Sequence, residues 1–191
     1  MIAKIHSVVP YGFEGKLVEV EGDMNRGLPA FNIVGMASKT VNEAKERVRS
    51  AIVNSELSFP DKKVTINLAP AELAKDGAYL DLPIALSVLT LSGQLVKKDV
   101  IDKAFVGELS LNGEIKPIKG IINIVEAAKR AGYKEIYVPI KNLSQASLVD
   151  GIVIWGTNTL LELVLALKEQ ITLDPYVAAK RDMNTAIEGP I

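Results

Sequence analysis

The sequence predicts an α+β fold, a mixed sheet with helices packed on one side. Three observations carry this. Residues 2–34 contain short stretches that alternate apolar and polar side chains, broken by Gly and Pro, as antiparallel strands do. After residue 38, segments of helical spacing alternate with strand-like runs. Hydrophobic residues make up 48% of the 191, enough for one packed core.

Taken in order, Ile2–Val9 alternates in part and Lys16–Gly22 alternates cleanly, with Val18 and Val20 against Leu17, Glu19 and Glu21. Pro29–Val34 is a shorter strand. Ser38 fits the N-cap of a helix running to Asn54, with Val41, Ala44, Val48, Ala51 and Ile52 on one face. Glu43 precedes Arg47 by one helical turn, the favourable order for an ion pair. Lys63–Leu68 reads as a strand. Asp81–Leu91 reads as a helix with Pro83 in its first turn, where the missing N–H costs least. It is apolar all round, so it is buried. Ala104–Leu109 reads as one strand, Gly120–Ala131 as a helix, Glu135–Val138 as a strand and Leu143–Val149 as a short helix. Ile152–Trp155 reads as a strand and Leu160–Lys168 as a last helix. Residues 1–168 form the domain, and 169–191, where periodicity fades, read as a linker or tail.

Composition narrows the function. The net charge is -1, so any nucleic-acid contact must come from a local patch. There is no cysteine and one histidine, His6, which removes thiol chemistry and argues against a His-centred triad or metal cluster. His6 reads as a structural strand residue. No segment reads as a signal peptide or membrane span, so the expected compartment is the cytoplasm, with no membrane partner.

Gly15-Lys16 is the only Gly-Lys pair. The P-loop pattern fails around it, because Pro10 and Leu17 stand where glycine and a hydroxyl residue are needed, so this is a turn between strands. Asp81, directly before the apolar run, reads as a helix cap rather than an acid–base group. Glu108 and Glu114 flank a turn. Lys45, Arg47 and Arg49 lie on one helix, with Lys45 and Arg49 on one side. They are the nucleic-acid-binding candidates, set against a solvated helix face diluted by Glu43 and Glu46.

Lys75-Asp76-Gly77 followed by Tyr79 resembles the nucleophile loop of Lon-type peptidases. Gly107-Glu108 and Pro117-Ile118 resemble the turn and pair that precede the lysine of those enzymes. The resemblance puts serine at Tyr79 and lysine at Ile122, so both positions of the dyad are lost and no catalytic residue is expected. A phenol without an activating base cannot replace a serine deprotonated by a lysine amine. Lys75, Asp76, Tyr79 and Asp81 then mark a vestigial pocket, open to a small ligand or a protein partner.

Longer strings resemble another family. Gly27-Leu28-Pro29-Ala30-Phe31-Asn32-Ile33-Val34-Gly35, Val41–Ile52, Asn67-Leu68-Ala69-Pro70-Ala71 and Asp81-Leu82-Pro83-Ile84-Ala85-Leu86 are similar to the N-terminal domain of Mg-chelatase-like AAA+ ATPases of the ComM/YifB type. This implies a Lon-protease-like domain, in the superfamily of ribosomal protein S-five domain two. It also implies a AAA+ motor after the tail, with ATP and Mg bound there and not in this chain. Members resemble hexameric DNA-remodelling motors of natural transformation. The resemblance therefore implies DNA as a partner through the parent protein, and self-assembly.

Overall fold

A long antiparallel hairpin begins the chain. Strands β1 (Ile2–Tyr11) and β2 (Glu14–Asn25) pair from Ile2 with Asp23 to Tyr11 with Glu14. Gly12, at φ +59°, makes the turn, a left-handed conformation that favours glycine. The Gly15-Lys16 pair thus lies on a strand just past a hairpin turn. The computed structural model describes residues 1–35, 39–73, 75, 78–173 and 175–176. Ser38, Asp76 and the side chain of Val41, all invoked above, lie outside the described residues.

β3 (Ala30–Val34) crosses through α1 (Lys39–Asn54) to β4 (Lys63–Ala69), which lies parallel to β3 and antiparallel to β2. Helix α2 (Asp81–Leu91) is buried at every residue. The short α3 (Lys97–Val100) leads into β5 (Lys103–Phe105), beside β1 and parallel to it. A two-stranded ribbon, β6 (Glu108–Leu109) with β7 (Ile115–Lys116), stands apart from the main sheet. Then come α4 (Ile121–Arg130), β8 (Glu135–Pro139), α5 (Leu143–Ala146), β9 (Val153–Thr157), α6 (Leu160–Leu167) and β10 (Pro175–Tyr176). The main sheet has eight strands in the order β10-β9-β8-β5-β1-β2-β4-β3. It is mixed, as expected.

The helices, however, lie on both faces of this sheet. Phe105, Tyr137 and Val9 join a core with α1, α2 and α6. Their neighbours Ala104, Ile136, Val138 and Val8 point the other way, into a second core with α4 and α5. The one-sided layering expected from sequence holds only in the antiparallel part away from the β1–β2 hairpin tip; at the tip α4 packs on Gly15 and Val8. Away from the tip Val18, Val20, Val64 and Ile66 are buried under α1 and α2, while Lys4, His6, Glu19 and Glu21 form a charged ladder on the other face. Antiparallel strands tolerate one wet face, whereas the parallel strands β5, β8 and β9 are covered on both.

Two further expectations change. The run 104–109 is not one strand. Val106 N–H reaches across to Tyr137 and Leu82 N–H bonds the carbonyl of Gly107, which turns the chain off the sheet toward α2. The expected helix from Leu143 stops at Ala146.

The close approach of α2 to β2 depends on Gly22. A Cβ there would lie 2.3 Å from Ser87 Oγ and 2.8 Å from Leu91 Cδ1. Ser87 Oγ is buried with no hydrogen-bond partner among the described residues.

Leu173, Pro175 and Tyr176, in the segment read as a linker, are tied to the domain. Leu173 packs on the core, and β10 pairs with Trp155 and Ile154 of β9. Trp155 is the only tryptophan of the chain. It donates Nε1–H to Glu135 at 3.0 Å and stacks on Tyr137. Removing residues 169–191 is expected to shift Trp155 emission to the red and to cost about 1 kcal/mol from the lost burial of Leu173. Fluorescence and urea unfolding of the full and shortened chains check this.

Candidate functional site

The region that resembles a peptidase site lies at the start of α2, under the ribbon β6–β7. Its centre is Asp81. This side chain is 1% exposed, and it accepts from Arg47 Nε at 2.7 Å and Arg47 Nη2 at 3.1 Å. It also accepts from the backbone N–H of Leu109 at 3.1 Å. One carboxylate therefore ties α1, α2 and β6 together. It is not the helix cap expected from sequence. Leu80 occupies the cap position, and no side chain caps the helix. Asp81 sits one residue inside the first turn, where the helix dipole favours a negative charge.

Arg47 also changes role. It was a nucleic-acid candidate, but its side chain is 20% exposed and spent on Asp81, with Glu43 at 4.0 Å. The cause is helical geometry: two residues on from Lys45, a side chain points to the far side of the helix. Lys45 is half-buried and Arg49 is exposed, its guanidinium 4.4 Å over the ring of Phe59.

Burial pushes the Asp81 carboxyl up to about 6, against the pull of Arg47 and the Leu109 N–H. The same pair pushes the Arg47 guanidinium up. The two shifts agree once burial is considered. Desolvation falls mainly on Asp81, the more enclosed partner, whereas Arg47 keeps some water. At neutral pH the pair is ionic.

The donors at the start of α2 are already used. Asp81 N–H bonds Ala78 O at 3.3 Å, Leu82 N–H bonds Gly107 O at 3.1 Å, and Pro83 has no N–H. An oxyanion hole needs free donors aimed at the developing charge. These three positions offer none.

Lys75 is 1% exposed. Its Nζ donates to the carbonyl of Pro70, and burial pushes its pKa down, with Glu72 pulling the other way. Beside these residues is a cleft of about 250 Å³, lined by Ala78, Tyr79, Glu108, Pro117, Ile118 and Lys119. Of the residues marked in the sequence for a vestigial pocket, Lys75 and Asp81 do not line it, because both turn inward to protein partners. Tyr79 does. Glu108 reads from the sequence as flanking a turn, and the fold brings it and Lys119 to Tyr79. Ile122 is not among the lining residues either. It sits in the first turn of α4 and is 40% exposed. His6 lies elsewhere, 3.4 Å from Glu19 and beside the ring of Tyr133, a structural setting.

The family model for subunit ChlI of Mg-chelatase matches residues 20–142, which include Arg47, Asp81 and the whole cleft. The chain belongs to this family. Within it, the chain is 38% identical over 169 residues to the competence protein ComM of Haemophilus influenzae, covering 88% of this chain and 33% of that protein. It is 40% identical over 148 residues to YifB of Salmonella typhimurium, with 78% of this chain and 29% of that protein covered. A more distant relative is Lon protease 2 of Bacillus subtilis, 27% identical over 195 residues, with 92% and 34% covered. This ChlI-family chain thus spans about a third of the length of the relatives it matches.

Proposed function

We propose that this chain is a non-catalytic Lon-like domain of a Mg-chelatase-like AAA+ ATPase, of the fold superfamily of ribosomal protein S-five domain two. The observation that carries the reading is the site itself. A phenol stands at the serine position, an exposed isoleucine at the lysine position, and the α2 N–H groups are bonded within the protein. Each is what architecture needs and what acyl transfer cannot use. The groups here do not fit ATP with Mg either, since the one Gly-Lys pair lies on a hairpin strand. Those ligands belong to a motor domain of the parent protein, which works as a cytoplasmic hexamer on DNA. The name of the relative ComM, a competence protein, supports DNA as the partner. Among the described residues no helix is long and apolar enough to cross a membrane.

Fluorogenic casein offered to the chain and to its parent, with and without ATP, tests the reading. No turnover is expected. Turnover that Tyr79→Ala abolishes would overturn it and restore the peptidase alternative.

The cleft beside Tyr79 favours a second role within the first, a contact point for a small ligand or a protein segment. It is concave, with one carboxylate, one ammonium and one phenol around an apolar floor, as binding clefts are. Replacing Lys119 and Glu108 with Ala is expected to leave the fold intact and to weaken whatever the cleft holds, which pull-down against the motor domain measures.

A further inference from the structure

We propose that the end of the sheet formed by β2, β4 and β3, together with the second half of α1, is a binding surface for single-stranded nucleic acid. It rests on the reading of DNA as the partner and names the surface on this domain that meets it. A cavity of about 330 Å³ lies there, with Pro29, Arg49, Val53, Phe59, Asp61 and Lys62 in its lining. Lys63 begins β4, opposite Asn25 of β2 and Ala30 of β3, so Arg26 lies beside it. Arg26, Arg49, Lys62 and Lys63 are all exposed. None takes part in a salt bridge among the described residues, whereas Lys4, Lys16 and Arg47 do. The cavity lining itself sets Arg49 and Lys62 against one carboxylate, Asp61, and Arg26 and Lys63 lie beside it. In a chain of net charge -1 this is a local positive field.

The geometry adds to the charge. Phe59 is held edge-on to Phe31 at 5.1 Å, and Arg49 lies across its ring. The contact holds the guanidinium against the wall of the cavity, and a guanidinium fork is the group that grips a phosphate. Leu28, 89% exposed, and Val53 add apolar surface at the same end. An apolar rim beside a row of cations suits a strand whose base faces are open. A duplex hides those faces, so it uses only the charge. Of the three helix cations singled out in the sequence, only Arg49 belongs to this surface.

Anisotropy of a fluorescein-labelled oligothymidine, titrated with the 191-residue chain at several salt concentrations, tests the proposal. The variant Arg26→Gln/Lys62→Gln/Lys63→Gln is expected to bind about tenfold more weakly. Its slope of log affinity against log salt is expected to fall by about 2, one phosphate contact per cation. A charge-matched control, Lys129→Gln/Lys134→Gln/Lys141→Gln, is expected to bind as the wild type does. Arg49→Lys keeps the charge but loses the planar fork, and is expected to weaken binding by a smaller factor. Circular dichroism checks that each variant is folded. Equal losses in the patch and control variants would overturn the surface while leaving DNA as the partner. No salt-sensitive binding by the wild-type chain would overturn both for this domain. Tighter binding of the matching duplex would overturn the single-strand assignment.

Discussion

Asp81→Ala is expected to destabilise the chain by about 3 kcal/mol at pH 7, near the lower end for breaking a buried ion pair. The substitution takes the carboxylate from Arg47, which keeps Glu43 at 4.0 Å, and takes the acceptor from Leu109 N–H. Arg47 keeps some water, which limits the cost. Asp81→Asn should be milder, within about 1 kcal/mol, because its amide oxygen still accepts one of these bonds. The pH dependence separates charge from shape. In the folded chain Asp81 titrates at about 6, above the ordinary 3.8. The folded state therefore binds this proton more tightly than the unfolded state. The contribution of the group is fullest below pH 3.8 and declines as pH rises to about 6, by about 3 kcal/mol in all. Relative to Asp81→Asn, the wild type is thus expected to lose stability between pH 4 and 6 and then to level off. Urea unfolding of both proteins across that range reads the difference. A wild type that gains on the Asn variant as pH rises would mean that the guanidinium outweighs burial.

Gly22→Ala is expected to cost about 1–3 kcal/mol by overpacking. The new methyl would meet Ser87 Oγ at 2.3 Å and Leu91 Cδ1 at 2.8 Å, so α2 must move off β2 or Leu91 must change rotamer. Ser87→Ala alone is expected to stabilise by about 1 kcal/mol, since it removes a buried hydroxyl without a partner among the described residues. In the double variant part of the clash is relieved, so the two effects should not add. Thermal and urea unfolding of the three variants measure this. A harmless Gly22→Ala would mean that α2 is not seated as closely as described.

Much of the fold was legible because it is local. Asp81–Leu91 is a helix by its apolar run and its early proline, and the structure gives those bounds. The hairpin was legible from alternation. The layering was not read correctly, although a signal was present. Ile136-Tyr137-Val138-Pro139 is a continuous run, all of it buried, and such runs mark strands covered on both faces. The strand pair at Pro175–Tyr176 left no signal, because two residues are too few for a period. At the candidate site the sequence located Tyr79 and Ile122 through a resemblance. It did not reveal what Asp81 does, because the partners of Asp81 lie 34 residues earlier and 28 later. Long-range pairs of this kind have no local pattern. The burial of Lys75, in a segment that reads as a polar loop, was hidden for the same reason.

On the proposed reading, these residues form a site given over to structure. The carboxylate at its centre joins two helices and a strand, and the helix start that would hold an anion is bonded to its own chain. The double-mutant cycle of Arg47→Ala and Asp81→Ala, by urea unfolding at pH 7, measures that most directly. Architecture predicts that the two losses overlap, with a coupling of about 2 kcal/mol. Coupling within error of zero would contradict it, because the pair would then hold nothing together.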